Sequence, residues 1–347
     1  MKKIIKLPLL VTLTGLLQAC IITEPVSHTD IGASENSAFT ADGRLFVIGE
    51  NSDKESWIFE ITKNADGSYA HTQYVKGTTD GTVNGSIDNA TVGDDCRFAG
   101  LTAKGSLLYA ACIKESGFLN LGAEDVSIFQ VNTELNQELI KTGRMTDSNF
   151  AQQYSEDAFD PNWFMANGMA VDDAGHLYIS NSKASLSPNR DAISQVSITD
   201  NGNSNFLDFS HKTWISGSEF FPNGVQIEGD TLYYAGGSDI IKAKINTDFS
   251  ASETKVHFDG ADLAIIDDFA IHDGYIAYAK VSAPGSIVIL KPAEFNQTAR
   301  FYFSVPMAVI PSSIVYQPDT PTGEPLFNEG DLLVTSFFSG GLFRVEL

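Results

Sequence analysis

Apolar and polar positions alternate along most of this chain with a period of two. The alternating runs are short, rich in β-branched and aromatic residues, and bounded by Gly, Asn and Asp. Helical periodicity is scarce. Two stretches align closely: ANGMAVDDAGHLYISNS, from Ala166 to Ser182, and FFPNGVQIEGDTLYYAGG, from Phe220 to Gly237. Each has Asn-Gly, an apolar strand, a turn carrying Asp and Gly, then Leu-Tyr and a second strand. The same grammar appears in ENSAFTADGRLFVIGE from Glu35, FAGLTAKGSLLYAAC from Phe98, DDFAIHDGYIAYAK from Asp267, and the stretch running from Ser312 to the C-terminus. After most second strands comes a third that starts small or polar and ends apolar, as in SWIFEI at Ser56, VSIFQV at Val126, AISQVSI at Ala192 and DIIKAKI at Asp239.

A unit of three or four antiparallel strands recurring every ~45 to 70 residues is the pattern of a propeller blade. Six such units predict an all-β fold, a six-bladed β-propeller over residues 35–347 with no second domain. A ring of blades must close. Both the C-terminal GGLFRVEL and the segment just after Cys20 suit the closing strand, and the pattern does not choose between ways of closing. Residues 20–34, with Pro25, Ser27, Thr29 and Ser34, otherwise read as a tether.

In a propeller the innermost strand of each blade lines the channel, and its first residue faces one mouth. Aligned on that residue, the six copies present Glu35, about Ala99, Asn167, Asn223, Asp267 and about Ser313. An Asn before Gly is by itself a common turn former. Two carboxylates and two carboxamides converging in one register form a site of hard oxygens without His or Cys, and calcium is the cation that accepts such irregular oxygen sets. Glu35 and Asp267 would otherwise repel each other across a narrow channel.

These residues carry a family resemblance. The Glu at the first strand, the Asn-Gly entries at Asn167 and Asn223, and Asp267 resemble the metal-site pattern of the six-bladed propeller hydrolases. That group comprises senescence marker protein and gluconolactonases, diisopropylfluorophosphatase, paraoxonases and strictosidine synthase-like proteins. The motifs FPNGV and ANGMAVDDAGHLYIS carry most of the likeness. The resemblance implies that Glu35, Asn167, Asn223 and Asp267 bind one or two calcium ions. It implies that Asn36 and Asp268, each one position later, reach the same cluster, and that Asp267 is catalytic, attacking directly or activating water. The implied activity is hydrolysis of lactones, esters or phosphotriesters. The chain departs from the pattern in lacking an evident pair of catalytic histidines and an identifiable arginine clamp; Arg97 is the nearest candidate for one, and it reads more readily as a surface or interblade ion-pair partner. The alternative is a non-catalytic propeller that binds calcium for structure and serves as a binding platform.

Trp163, Phe164, Phe220 and Phe221 lie shortly before Asn167 and Asn223, so they are expected either to rim the mouth as a substrate wall or to pack between blades. The stretch from Asn132 to Trp163 reads as a lid or a long connection.

The N-terminus has a different pattern. Lys2, Lys3 and Lys6 precede an apolar run from Leu7 to Leu17, and Leu17-Gln18-Ala19-Cys20 follows. This resembles the lipobox of bacterial lipoproteins, which implies a signal peptide over residues 1–19, cleavage before Cys20 and lipid on that cysteine. An ordinary cleaved secretory signal is the other reading. Ile21, where Asp would favour inner-membrane retention, points to the outer membrane facing the periplasm. The membrane is thus expected to be met through the lipid alone.

With 44 acidic against 22 basic residues, the chain carries a formal charge of -22. Such a surface repels nucleic acid and suits cations or neutral ligands, so the expected partner is a small-molecule substrate bound by a monomer. Cys96 and Cys112 are the thiols left. A hairpin turning at Ala103 to Ser106 would set them roughly opposite each other, a candidate disulfide in an oxidising compartment.

Overall fold

A computed structural model describes residues 23–27, 31–77, 96–116, 122–135, 140–145, 166–182, 191–200, 202, 208–216, 221–260, 265–272, 275–281, 286–290, 301–304, 311–318, 321–336 and 341–346. The first strand, β1 (Thr23–Ser27), is far in sequence from the sheet it joins. β2 (Ser37–Phe39), β3 (Leu45–Glu50), β4 (Ser56–Lys63) and β5 (Tyr69–Lys76) form an antiparallel meander. A second meander consists of β6 (Arg97–Lys104), β7 (Leu107–Ser116), β8 (Gly122–Asn132) and β9 (Ile140–Met145). The third is β10 (Ala166–Val171), β11 (His176–Asn181), β12 (Asp191–Thr199) and β13 (Asp208–Ser216). β14 (Pro222–Glu228), β15 (Thr231–Gly236), β16 (Asp239–Ile245) and β17 (Ala251–Phe258) make the fourth. β18 (Ile265–His272), β19 (Tyr275–Val281), β20 (Ser286–Leu290) and β21 (Phe301–Ser304) make the fifth. The last sheet takes β22 (Pro311–Tyr316), β23 (Leu332–Ser336) and β24 (Leu342–Val345) from the C-terminus and β1 from the other end.

The described strands thus form six four-stranded sheets. Their first strands touch in a closed circle: β2 on β6, β6 on β10, β10 on β14, β14 on β18, β18 on β22, and β22 on β2. The architecture is an all-β propeller. Its cores lie between sheets. Phe46, Ile58 and Tyr74 pack against Phe98, Leu108 and Phe129 at the first junction, and Tyr178 and Trp214 pack against Leu232 and Tyr234 at the third. Each fully buried aromatic or aliphatic side chain contributes about 2 kcal/mol, so these junctions fix the order of the sheets. No helix among the described residues is long and apolar enough to cross a membrane.

The ring closes through β1. Thr23 pairs with Val345 and Ser27 with Leu342, and Val26 is buried in the core shared by the last and first sheets. The expected tether over residues 20–34 is therefore corrected at Thr23–Ser27, which belongs to the fold. Pro25 has no N–H to give a further strand, and β1 is the outermost strand of its sheet, where none is needed. Residues 1–19 and Cys20 lie outside the described residues.

Cys96 and Cys112 are bonded, with Cα atoms 5.6 Å apart. Phe98 faces Cys112 across the ladder of β6 and β7, so the hairpin between them supplies the approach.

Candidate active site at the inner strand entrances

The entrances of the inner strands share one irregularity. In β10, Ala166 pairs with Asn181 and Met169 with Ile179, so three steps on the inner strand answer two on its neighbour. Asn167 and Gly168 occupy the extra space. The same slip holds Asn223-Gly224 between Pro222 and Val225, Asp267-Asp268 between Ile266 and Phe269, and Ser312-Ser313 between Pro311 and Ile314. In β6 it falls at Ala99, between Phe98 and Gly100. A bulge bends a strand and re-aims the side chains it carries. The Asn-Gly pairs read from sequence as turns thus lie inside strands, and the anchor of the last sheet is the pair Ser312-Ser313.

The bulged amides find hydroxyl acceptors. Gly168 N donates to Ser180 Oγ at 2.8 Å and Ser313 N to Thr335 Oγ1 at 3.0 Å. Glycine after the anchor serves close approach. A Cβ on Gly100 would stand 2.5 Å from the Asn167 carbonyl, and one on Gly168 would stand 2.6 Å from that of Asn223. A Cβ on Gly224 would fall on the Asp268 carboxylate.

Polar ties run around the mouth from sheet to sheet. Asn36 Nδ2 donates to Ala99 O at 2.6 Å, joining the first sheet to the second. Ser182 Oγ donates to Pro222 O at 2.8 Å, and Asn223 Nδ2 to Asp267 Oδ1 at 2.5 Å. Asp268 Oδ2 accepts from Ser313 Oγ at 2.7 Å and Ile314 N at 3.2 Å. Ser312 Oγ and Thr335 Oγ1 donate to Glu35 O at 3.4 and 3.3 Å, joining the last sheet to the first. Ser313 was aligned from sequence at the mouth of the last copy without being counted among the donors, and Ser312 and Thr335 were not identified, although the paired serines stand at the register of Asn-Gly.

The carboxylates crowd each other. Burial pushes the Asp267 carboxyl up to about 7, helped by the charges of Glu35 and Asp268 and opposed by hydrogen bonds from Asn223 and Ser312. Burial likewise raises Asp268 to about 6 against the donors of β22. Glu35 has a cation nearby, Arg97, whose Nη2 is 3.5 Å from Glu35 Oε2. The structure therefore brings Glu35, Asn223 and Asp267 together and sets Asn167 in the equivalent bulge of β10. Asn36 and Asp268 lie one position later and spend polar atoms on neighbouring strands.

Among the described residues no group of three or more His, Cys, Asp and Glu side chains is arranged to hold a metal. The donors gathered here are two carboxylates and carboxamides, a set outside that description. Phe221 is half-buried and holds a left-handed backbone at φ 48° directly before Pro222. A bulky residue there is strained, and such strain collects at functional sites. Trp163, Phe164 and Phe220 lie outside the described residues. His176, at the far end of β11, bonds Asp172 at 2.9 Å and takes no part in the mouth.

No family model matches the chain, and no curated protein matches it by sequence. Solved structures do. A gluconolactonase from Xanthomonas campestris superposes with a TM-score of 0.55 at 11% identity, over 94% of this chain and 90% of that one. YCF48 from Cyanidioschyzon merolae superposes with a TM-score of 0.51 at 11% identity, over 93% of this chain and 98% of that one. A periplasmic gluconolactonase from Pseudomonas aeruginosa is a looser match, with a TM-score of 0.42 at 13% identity over 78% of this chain and 70% of that one. At these identities the likeness is one of fold, and the fold is that of a β-propeller.

Proposed function

We propose that this chain is a calcium-dependent hydrolase of lactones, esters or phosphotriesters, working at the mouth of a six-bladed ring and held by lipid on Cys20 at the periplasmic face of the outer membrane. The observation that carries the reading is the contact of Asn223 with Asp267 in a buried mouth that also feels the charge of Glu35. The charge of Glu35 raises the proton affinity of Asp267 inside the mouth, an arrangement that a cation between them would relieve, and hard oxygens suit calcium. Glu35, Asn167, Asn223 and Asp267 would hold it, the carboxamides by turning their oxygens inward. Bound there, calcium supplies Lewis-acid polarisation of a carbonyl or phosphoryl oxygen.

The chain's own residues do the rest. Burial and the charges of Glu35 and Asp268 raise Asp267 to about 7 without a cation; calcium beside it would favour the ionised carboxylate, the form that takes a proton from water. Ser312 and Asn223 fix its orientation, and Arg97 beside Glu35 places a cation at the rim. The lactone class rests on the motif resemblance, and the solved structures lend the fold.

A second reading has its own support. Asn36 and Asp268 already bond across junctions, so a cation between Glu35 and Asp267 would add a further tie across the mouth and serve structure alone. The test is turnover of lactones, aryl esters and phosphotriesters by the mature protein with calcium and with chelator. Calcium-restored turnover that falls at least about a hundredfold in Asp267→Asn is expected. Thermal stabilisation by calcium without turnover of any substrate would leave the binding platform.

A further inference from the structure

Two sheets carry the same pair of side chains at the same register. Tyr178 of β11 lies opposite Gln195 of β12, and Tyr109 of β7 opposite Gln130 of β8. In each the glutamine Nε2 donates to the phenol oxygen, at 2.7 and 3.2 Å. Both pairs sit toward the rim opposite the anchors, near the turns from β6 into β7 and from β10 into β11, and so apart from the hydrolase reading.

Their surroundings differ. The Tyr178 pair is plugged by Phe249, from the turn after β16. The Phe249 carbonyl accepts from Gln195 Nε2 at 3.3 Å and from Trp214 Nε1 at 2.9 Å, and its ring lies 4.2 Å from that of His176. Phe249 takes this post with a left-handed backbone, φ 61°, a costly conformation that its contacts must outweigh. At the Tyr109 pair there is instead an open cleft of about 360 Å³. Leu107 stands at the register of His176, Ile198 and Ala174 face it from the next sheet, and Asn132 and Asp200 form a polar rim. Among the described residues Gln130 Nε2 has Tyr109 as its partner; of the turn after β12, which corresponds to the one that carries Phe249, Asp200 and Gly202 are described.

We propose that this cleft binds a neutral amide bearing an aromatic or branched apolar group beside its carbonyl, the chemistry that Phe249 supplies at the neighbouring junction. The carbonyl oxygen accepts from Gln130 Nε2, and the apolar group lies against Leu107, Ile198 and Ala174. Asp200 at the rim favours an N–H donor and disfavours a carboxylate. The volume is within the range of small-ligand pockets, about 300–1,000 Å³. A free amide and a peptide segment share this chemistry.

The experiment is calorimetric titration of the full chain with N-acetyl-phenylalanine amide, N-acetyl-phenylalanine, N-acetyl-glycine amide and a capped Gly-Phe-Gly peptide. Saturable binding of the phenylalanine amide is expected, with the free acid and the glycine amide at least about tenfold weaker. Gln130→Leu should weaken it by about tenfold, the worth of one hydrogen bond. Ala174→Phe, at an exposed turn, should fill the cleft and abolish binding with an unchanged melting temperature. Tighter binding of the tripeptide assigns the cleft to a peptide segment and equal binding to a free amide; both uphold recognition of carbonyl and ring. No saturable binding, or binding that survives both substitutions, overturns the proposal.

Discussion

Asn223 Nδ2 donates to Asp267 Oδ1 across 2.5 Å, from the entrance of β14 to that of β18. That bond favours the charged carboxylate, yet burial and the charges of Glu35 and Asp268 outweigh it and raise Asp267 to about 7. The sign of the consequence follows. Between about pH 4, where the unfolded carboxyl titrates, and about pH 7, the cation-free folded state holds a proton that the unfolded chain has released. Stability of the cation-free protein should therefore fall as pH rises through that window. Urea denaturation with chelator from pH 4 to 8 checks this. Asp267→Asn should flatten the fall and leave the protein about 2 kcal/mol or more above the parent beyond pH 7. A parent whose stability rises over the window contradicts the account.

Gly224 tests the close approach of inner strands. A Cβ there falls on the Asp268 carboxylate and comes within 2.9 Å of its Cα, so backbone has to move. Gly224→Ala should cost about 2–3 kcal/mol, the range of an overpacked core. Gly229 lies in a turn with φ +59° and open space around its Cβ position. Gly229→Ala should cost about 1 kcal/mol, from backbone conformation alone. Equal losses in denaturant titrations would remove the packing argument.

The bond between Cys96 and Cys112 closes a loop with a sequence separation of 16. Loop-closure entropy gives such a link about 3 kcal/mol. Reduction under native conditions, or Cys96→Ala with Cys112→Ala, should lower stability by about that amount. Both half-cystines are buried in the core between the first two sheets, away from the anchors. Fluorescence-monitored denaturation with and without reductant reads it directly.

The blade period was legible because each sheet repeats a local pattern, and Asn167 and Asn223 stood out because Gly follows each of them. What that Gly does was not legible. Close approach depends on the neighbouring sheet: Gly168 meets Asn223, and Gly224 meets Asp268, residues that local pattern does not connect. The second sheet hides its anchor because Ala99 has no polar atom on its side chain, and the last sheet offers two serines that only the ladder register ranks. Asn36 and Asp268 look from sequence like further donors to the mouth. Their bonds to Ala99 and Ser313 across junctions are tertiary facts. Closure by β1 was left open for a related reason: TEPVS has little alternation, and its partner is at the other end of the chain.

Closure by β1 makes a last prediction. Val26 is 3% exposed in the core between the last and first sheets, beside Leu333 and Leu342. Burial of such a side chain is worth about 1.5–3 kcal/mol, and each ladder bond to β24 adds about 1 kcal/mol net. Val26→Asp puts a charge into that core, so it should cost at least about 3 kcal/mol and lower the melting temperature. A chain beginning at Ile31 loses the whole strand and leaves β24 as an open edge, a template for pairing with other chains. It should associate in a concentration-dependent way by light scattering, and a synthetic peptide spanning Thr23–Ser27 should reverse the association saturably. A chain from Ile31 that stays monomeric with the parent's melting temperature would mean that the ring holds without its borrowed strand.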